Sequence, residues 1–300
     1  MQTAALSTEH LTKYYGKQRG VIDLNLDVRH GEVFGFLGPN GAGKTTTIRL
    51  LLDLIRPTSG TAMIFGAAVK GNHDLRRRLG YLPGEYALYD NMTGAEFLKF
   101  MGNLRRGVDW HFVEALAERL DCRLSQPIRS LSHGNKQKLG LIQAFMHRPQ
   151  LILLDEPSSG LDPLMQQEFY RMIDEVKADG GTIFISSHVL PEVERLCDRV
   201  AIIREGRLAA VETVEAIKTR ALRRLEIHFA HPAAGEAFAQ LPGIRDLSVE
   251  GNILRCAVAG SLDALVKTAA QFTVVNLVSH EPSLEEIFLA YYNGGDNHVA

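Results

Sequence analysis

The stretch Gly38-Pro39-Asn40-Gly41-Ala42-Gly43-Lys44-Thr45-Thr46 constrains this chain more than any other. It fits G-x-x-x-x-G-K-[ST]. The apolar run Val33-Phe34-Gly35-Phe36-Leu37 precedes it, and residues 45–55 read as a helix. A buried strand, a glycine-rich turn and a helix in that order make a phosphate loop. Gly38, Gly41 and Gly43 let the backbone turn tightly and aim its N–H groups inward. The helix N-terminus adds partial positive charge where phosphates would sit. Lys44 is placed to reach the β- and γ-phosphates, and Thr45 to put its hydroxyl on Mg²⁺.

A second apolar run ends in acid: Leu151-Ile152-Leu153-Leu154-Asp155-Glu156. Its first four residues read as a central parallel strand, and open α/β sheets bind ligands at the carboxyl ends of such strands. Asp155 suits the outer sphere of a Mg²⁺ held by Thr45 and the phosphates. Glu156 suits a base that orients or deprotonates a water. A third strand, Thr182 to Ile185, runs into Ser186-Ser187-His188 and brings His188 to the same sheet edge as Lys44 and Glu156. Between the first two motifs lies Leu131-Ser132-His133-Gly134-Asn135-Lys136-Gln137, where Ser132 can cap a helix over residues 135–146. Pro157 marks a sharp turn before Ser159-Gly160-Leu161-Asp162.

These motifs, in this order and over roughly residues 5 to 215, resemble the nucleotide-binding subunit of ABC transporters, of the bacterial multidrug and antibiotic exporter type with a separate membrane subunit. The resemblance implies an α/β fold: a P-loop cassette with a β-rich N-terminal part and a helical lobe. It makes residues 38–46 the Walker A loop, with Gly38, Asn40, Gly41, Ala42, Gly43, Lys44, Thr45 and Thr46 on ATP. Asp155 and Thr45 would hold Mg²⁺, and Glu156, His188 and Lys44 would be catalytic. Ser132 and Gly134 belong to the family signature, which contacts ATP held by a second copy of the subunit. Residues 159–162 form the D-loop, and His188 is the switch histidine. Tyr15 matches the aromatic that stacks on adenine; Tyr14 is its rival, and either ring could be core. The chain departs from the family twice. His133 stands where the signature has Gly, and Gly84 followed by Glu85 stands where a Gln touches the metal. Glu85 is the candidate replacement.

The formal net charge of −2 argues against an electrostatic nucleic-acid binder. No stretch approaches the ~20 apolar residues of a membrane span, and Met1 to His10 has no signal-peptide core. The expectation is a cytoplasmic chain, peripheral on the membrane through an integral permease, with a second copy of itself as the other partner. Cys122, Cys197 and Cys256 are scattered and read as free thiols. The rival class is a regulatory ATPase of the same superfamily acting on ribosomes. Such proteins usually carry two cassettes, and this chain has one phosphate loop.

The lead-in over residues 5–30 alternates like a half-buried sheet, and residues 90–148 are mostly helical by pattern. Thr93 and Glu96 make a capping box for a helix with Phe97, Leu98, Phe100 and Met101 on its apolar face, followed by a helix near 109–120. Residues 150–205 return to strand-helix-strand alternation. The composition changes near residue 220, where Arg220, Arg223 and Arg224 read as a basic linker between an ATP-binding domain (1–220) and an accessory domain (221–300). The second domain reads as strand 225–229, helix 233–241, strands 244–249 and 253–258, helix 261–271, strand 274–278 and helix 283–291. That β-α-β-β-α-β order is the ferredoxin-like α+β arrangement.

Overall fold

The computed structural model describes residues 4–85, 88–220, 223–232 and 235–280. They form two compact units that divide between Val211 and Glu212. The first unit begins β1 (Leu6–Tyr15), β2 (Gln18–Val28), β3 (Val33–Leu37), α1 (Lys44–Leu51), β4 (Ser59–Ile64), β5 (Ala67–Ala68) and β6 (Leu79–Leu82). It continues α2 (Gly94–Asn103), α3 (Trp110–Arg119), α4 (His133–Phe145), β7 (Leu151–Asp155), α5 (Pro163–Ala178), β8 (Thr182–Ser187), α6 (Leu190–Leu196), β9 (Arg199–Arg204) and β10 (Arg207–Thr213), whose last two residues lie past the division.

The central sheet has the order β10-β9-β3-β8-β7-β6, and β9, β3, β8, β7 and β6 run parallel. Every residue of β3 and β7 is buried, as expected for strands covered on both faces. The order places β8 between β3 and β7, so three motifs far apart in sequence end side by side. Leu37 pairs with Ser187, and Asp155 with Ser186. Beneath them Phe184 stacks on Phe34 and packs tilted against Phe36, with ring centroids 5.9 and 5.3 Å apart. Each such buried ring contributes roughly 1.5–3 kcal/mol.

A smaller sheet, β2-β1-β4-β5, carries the predicted alternation. Helix α1 packs between it and β7. It ends at Leu51 rather than near 55, because Asp53 takes the left-handed conformation (φ 55). Asp53 N–H then donates to Leu50 O (3.1 Å) and Leu54 N–H to Arg49 O (2.9 Å). That is a Schellman stop built on Asp where Gly is usual.

The helical lobe follows its caps. Thr93 and Glu96 form both halves of the capping box on α2, and Asp109 caps α3. Ser132 caps α4, which starts at His133, before the expected 135. The predicted apolar face of α2 divides: Phe97 and Leu98 are buried, whereas Phe100 is exposed beside Tyr89, ring centroids 5.6 Å apart.

The second unit holds α7 (Val214–Arg220), β11 (Arg223–Phe229), α8 (Glu236–Ala239), β12 (Ile244–Glu250), β13 (Ile253–Val258), α9 (Asp263–Ala269) and β14 (Val274–His280). Its sheet order is β12-β13-β11-β14, antiparallel throughout, which gives the ferredoxin-like arrangement. Leu225, Ile227 and Phe229 of β11 pack with Phe238 and Leu265 in its core. Two local expectations are corrected. Arg223 and Arg224 open β11, paired with Val258 and Ala257, instead of lying in a linker. Their exposed positions on a strand tolerate charge, so basic composition alone did not mark a connection. Helix α8 is shorter than 233–241. The expected helix 283–291 lies outside the described residues. Among the described residues no helix is long and apolar enough to cross a membrane.

Candidate functional site

The phosphate loop leaves β3 and closes on α1. Gly43 is its last residue before the helix, at φ 114, where a side chain is strained. A Cβ at Gly43 would also stand 2.8 Å from Gly20 O, and one at Gly38 would stand 2.6 Å from Ile203 O. Backbone from β2 and β9 therefore presses directly on the loop. Asn40, Gly41, Gly43, Lys44, Thr45 and Thr46 line a cavity of about 330 Å³, together with Arg19 and Glu156. Ala42 is buried behind it, its carbonyl accepting from Gly206 N–H (2.9 Å).

Lys44 is 6% exposed, so its ammonium is held rather than free. Nζ donates to Gly38 O (2.6 Å) and Pro39 O (3.3 Å) and lies 3.3 Å from Glu156 Oε1. Thr45 Oγ1 donates to Asp155 Oδ2 (2.8 Å), and Ser186 Oγ donates to Asp155 Oδ1. Asp155 is 1% exposed. Burial, and then the Asp155 carboxylate, push the nearby Tyr81 hydroxyl up to about 12.

Glu156 follows β7 in the left-handed region, at φ 52. Such a residue costs on the order of 1–3 kcal/mol unless its surroundings fix it. Here its N–H donates to Ser186 O (2.9 Å), and Gln137 Nε2 donates to Glu156 O (3.3 Å) and Pro157 O (2.7 Å). The bend turns the carboxylate into the cavity. Its Oε2 accepts from His188 Nδ1 at 2.6 Å. Because the carboxylate accepts, Nδ1 carries the hydrogen of that bond.

The predicted residues thus fall into four groups. Lys44, Thr45, Asp155, Glu156 and His188 meet at one sheet edge. Tyr15 stands beside them: its ring edge and the Thr46 methyl both abut Gly20. Ser132 and Gly134 do not line the cavity; Ser132 is exposed, and Gly134 lies so close to Gly160 that a Cβ would stand 2.5 Å from its carbonyl. Gly84 lies against Asp155, where a Cβ would stand 3.3 Å from Oδ2, and Glu85 is exposed. The hydroxyl of Thr45 and the buried carboxylate of Asp155 fit a Mg²⁺ that takes its remaining oxygens from phosphates and water.

Four residues that the sequence reading gave no role also belong here: Arg19, Gln137, Ser186 and Glu192. Gln137 is only 1% exposed, a burial that no neighbouring residue in the sequence signals.

Residues 21–159 match the family model described as ABC transporter. The chain is 37% identical over 302 residues to the bacitracin transport ATP-binding protein BcrA of Bacillus licheniformis, covering 97% of this chain and 98% of that one. It is 34% identical to the daunorubicin/doxorubicin resistance ATP-binding protein DrrA of Streptomyces peucetius, covering 96% and 92%. Among solved structures it resembles an ATP binding subunit of an ABC transporter, with a TM-score of 0.66 and 34% identity over 72% of this chain and 92% of that one.

Proposed function

We propose that this chain, which belongs to the ABC transporter family and is an ATP-hydrolysing, ATP-binding subunit, works as a pair of copies with ATP held between them. The observation that carries the pairing is the position of Ser132. It caps α4 at an exposed helix N-terminus, outside the cavity lined by Lys44 and Glu156. A second copy would offer that N–H-rich terminus, with Gly134, to the γ-phosphate.

In this reading Lys44 binds the β- and γ-phosphates, exchanging its loop carbonyls for phosphate oxygens. Tyr15 stacks on the adenine. Thr45 and Asp155 would hold Mg²⁺, which would supply positive charge to offset that of the phosphates. Glu156 orients a water and takes its proton, while His188 fixes the Glu156 carboxylate and directs Nε2 to the γ-phosphate. Loss of the γ-phosphate removes the contact joining the copies, and the pair opens.

A membrane permease is the second partner, placing the chain at the inner face of the membrane. Tyr89, Phe100 and Leu104 are 53%, 37% and 61% exposed, an apolar patch for a cytoplasmic segment of that permease. The likeness to a bacitracin transport protein and a daunorubicin/doxorubicin resistance protein favours export of an antibiotic-like molecule. The second unit, which begins at Glu212, serves as an accessory domain.

The test is to tag a Glu156→Gln variant, solubilise cells in mild detergent with ATP·Mg²⁺, and identify what copurifies. A polytopic membrane protein in stoichiometric amount is the expected result. Ribosomal proteins with no membrane partner would overturn the transport reading in favour of a ribosome-acting ATPase.

A further inference from the structure

Glu192, in the first turn of α6, is 1% exposed, yet it packs beside the site with one carboxylate oxygen lacking any hydrogen-bond partner among the described residues. Its other oxygen, Oε2, accepts from Ser187 Oγ at 2.8 Å. The same Ser187 oxygen accepts from Val189 N–H at 2.9 Å. Ser187 and Val189 are the two neighbours of His188, so one carboxyl fixes the backbone on both sides of the residue that grips Glu156. Helix α6 is itself anchored: Val193 and Cys197 crowd Gly35 of β3, where a Cβ would stand 2.9 and 3.0 Å from them. The chain of contacts runs from the central strand through Glu192 and Ser187 to His188 and Glu156.

We infer that Glu192 is a positioning residue for hydrolysis, holding His188 through Ser187 so that the Glu156 carboxylate keeps its catalytic orientation. The inference rests on the roles proposed for Glu156 and His188. Burial raises the Glu192 pKa, opposed by the hydroxyls of Ser187 and Ser158. A buried acid is a poor choice for stability alone, since an apolar residue of similar volume avoids its desolvation. That contrast separates a positioning role from a structural one.

The experiment measures steady-state ATP hydrolysis, ATP affinity and thermal midpoint for the full chain and for Glu192→Leu, Glu192→Gln and Ser187→Ala. Glu192→Leu should lower kcat roughly ten- to a hundredfold, the usual loss for an orienting partner. ATP affinity and the midpoint should hold. Ser187→Ala should reproduce the loss, and Glu192→Gln, which keeps an acceptor, should recover most of it. In a His188→Ala background, Glu192→Leu should cost little more, because the group it positions is gone. Unchanged kcat in Glu192→Leu, or a loss that adds in full to that of His188→Ala, would overturn the inference. So would a loss that only tracks the thermal midpoint. If Glu156→Gln and His188→Ala both hydrolyse ATP normally, the reading of the site fails first, and this inference with it.

Discussion

The Lys44 ammonium lies 3.3 Å from Glu156 Oε1, and the other oxygen of that carboxylate holds His188 Nδ1 at 2.6 Å. One side chain thereby joins the phosphate loop to the end of β8. The join depends on sheet order, since β8 is inserted between β3 and β7. It also depends on the left-handed turn at Glu156, which the Gln137 amide braces from α4.

Lys44→Ala removes the one buried cation of the loop. Turnover should fall about a hundredfold or more, the scale of losing a principal charge-stabilising donor. ATP hydrolysis by the purified variant checks this, and a rate near that of the wild type would remove Lys44 from the site.

His147 predicts a pH dependence of stability. Burial, and then the Arg105 charge, push its pKa from 6.5 down to about 4, against a hydrogen bond from Nε2 to Leu79 O. The unfolded chain accepts a proton that the folded chain refuses. Stability should therefore fall as pH drops from 6.5 towards 4, by on the order of 3 kcal/mol from this group. Urea unfolding of wild type and His147→Gln across that range should show the difference between them shrink or reverse at low pH. Parallel curves would contradict the assignment.

Gly80 lets β6 and α4 approach closely. A Cβ there would stand 2.3 Å from Ala144 O and 2.9 Å from Pro149 Cγ. Gly80→Ala should destabilise the fold by about 1–3 kcal/mol, the cost of overpacking a close contact. The urea midpoint reports it, and an unchanged midpoint would mean that the two elements separate without cost.

Much of this was legible in the sequence where the signal is local. The loop after β3, the acid pair after β7, the Thr93–Glu96 box and the alternation in β2 each need only neighbouring residues. Glu192, Ser186 and Gln137 were not legible as site residues, because their partners come from other strands and helices. Arg19 joins the cavity wall only because β2 crosses the loop at Gly20 and Gly43. Phe100 sits at an apolar position of α2, but periodicity does not tell a buried ring from one that pairs with Tyr89 at the surface. The end of α1 escaped because Asp53 does what Gly usually does.

The most direct test of the central claim is the solution mass of Glu156→Gln with and without ATP·Mg²⁺, by size-exclusion chromatography with light scattering. The expected result is a dimer, near twice the chain mass of 33.2 kDa, that forms only with ATP·Mg²⁺ and is abolished by a further Ser132→Arg change. A monomer under saturating ATP would contradict a site completed by a second copy.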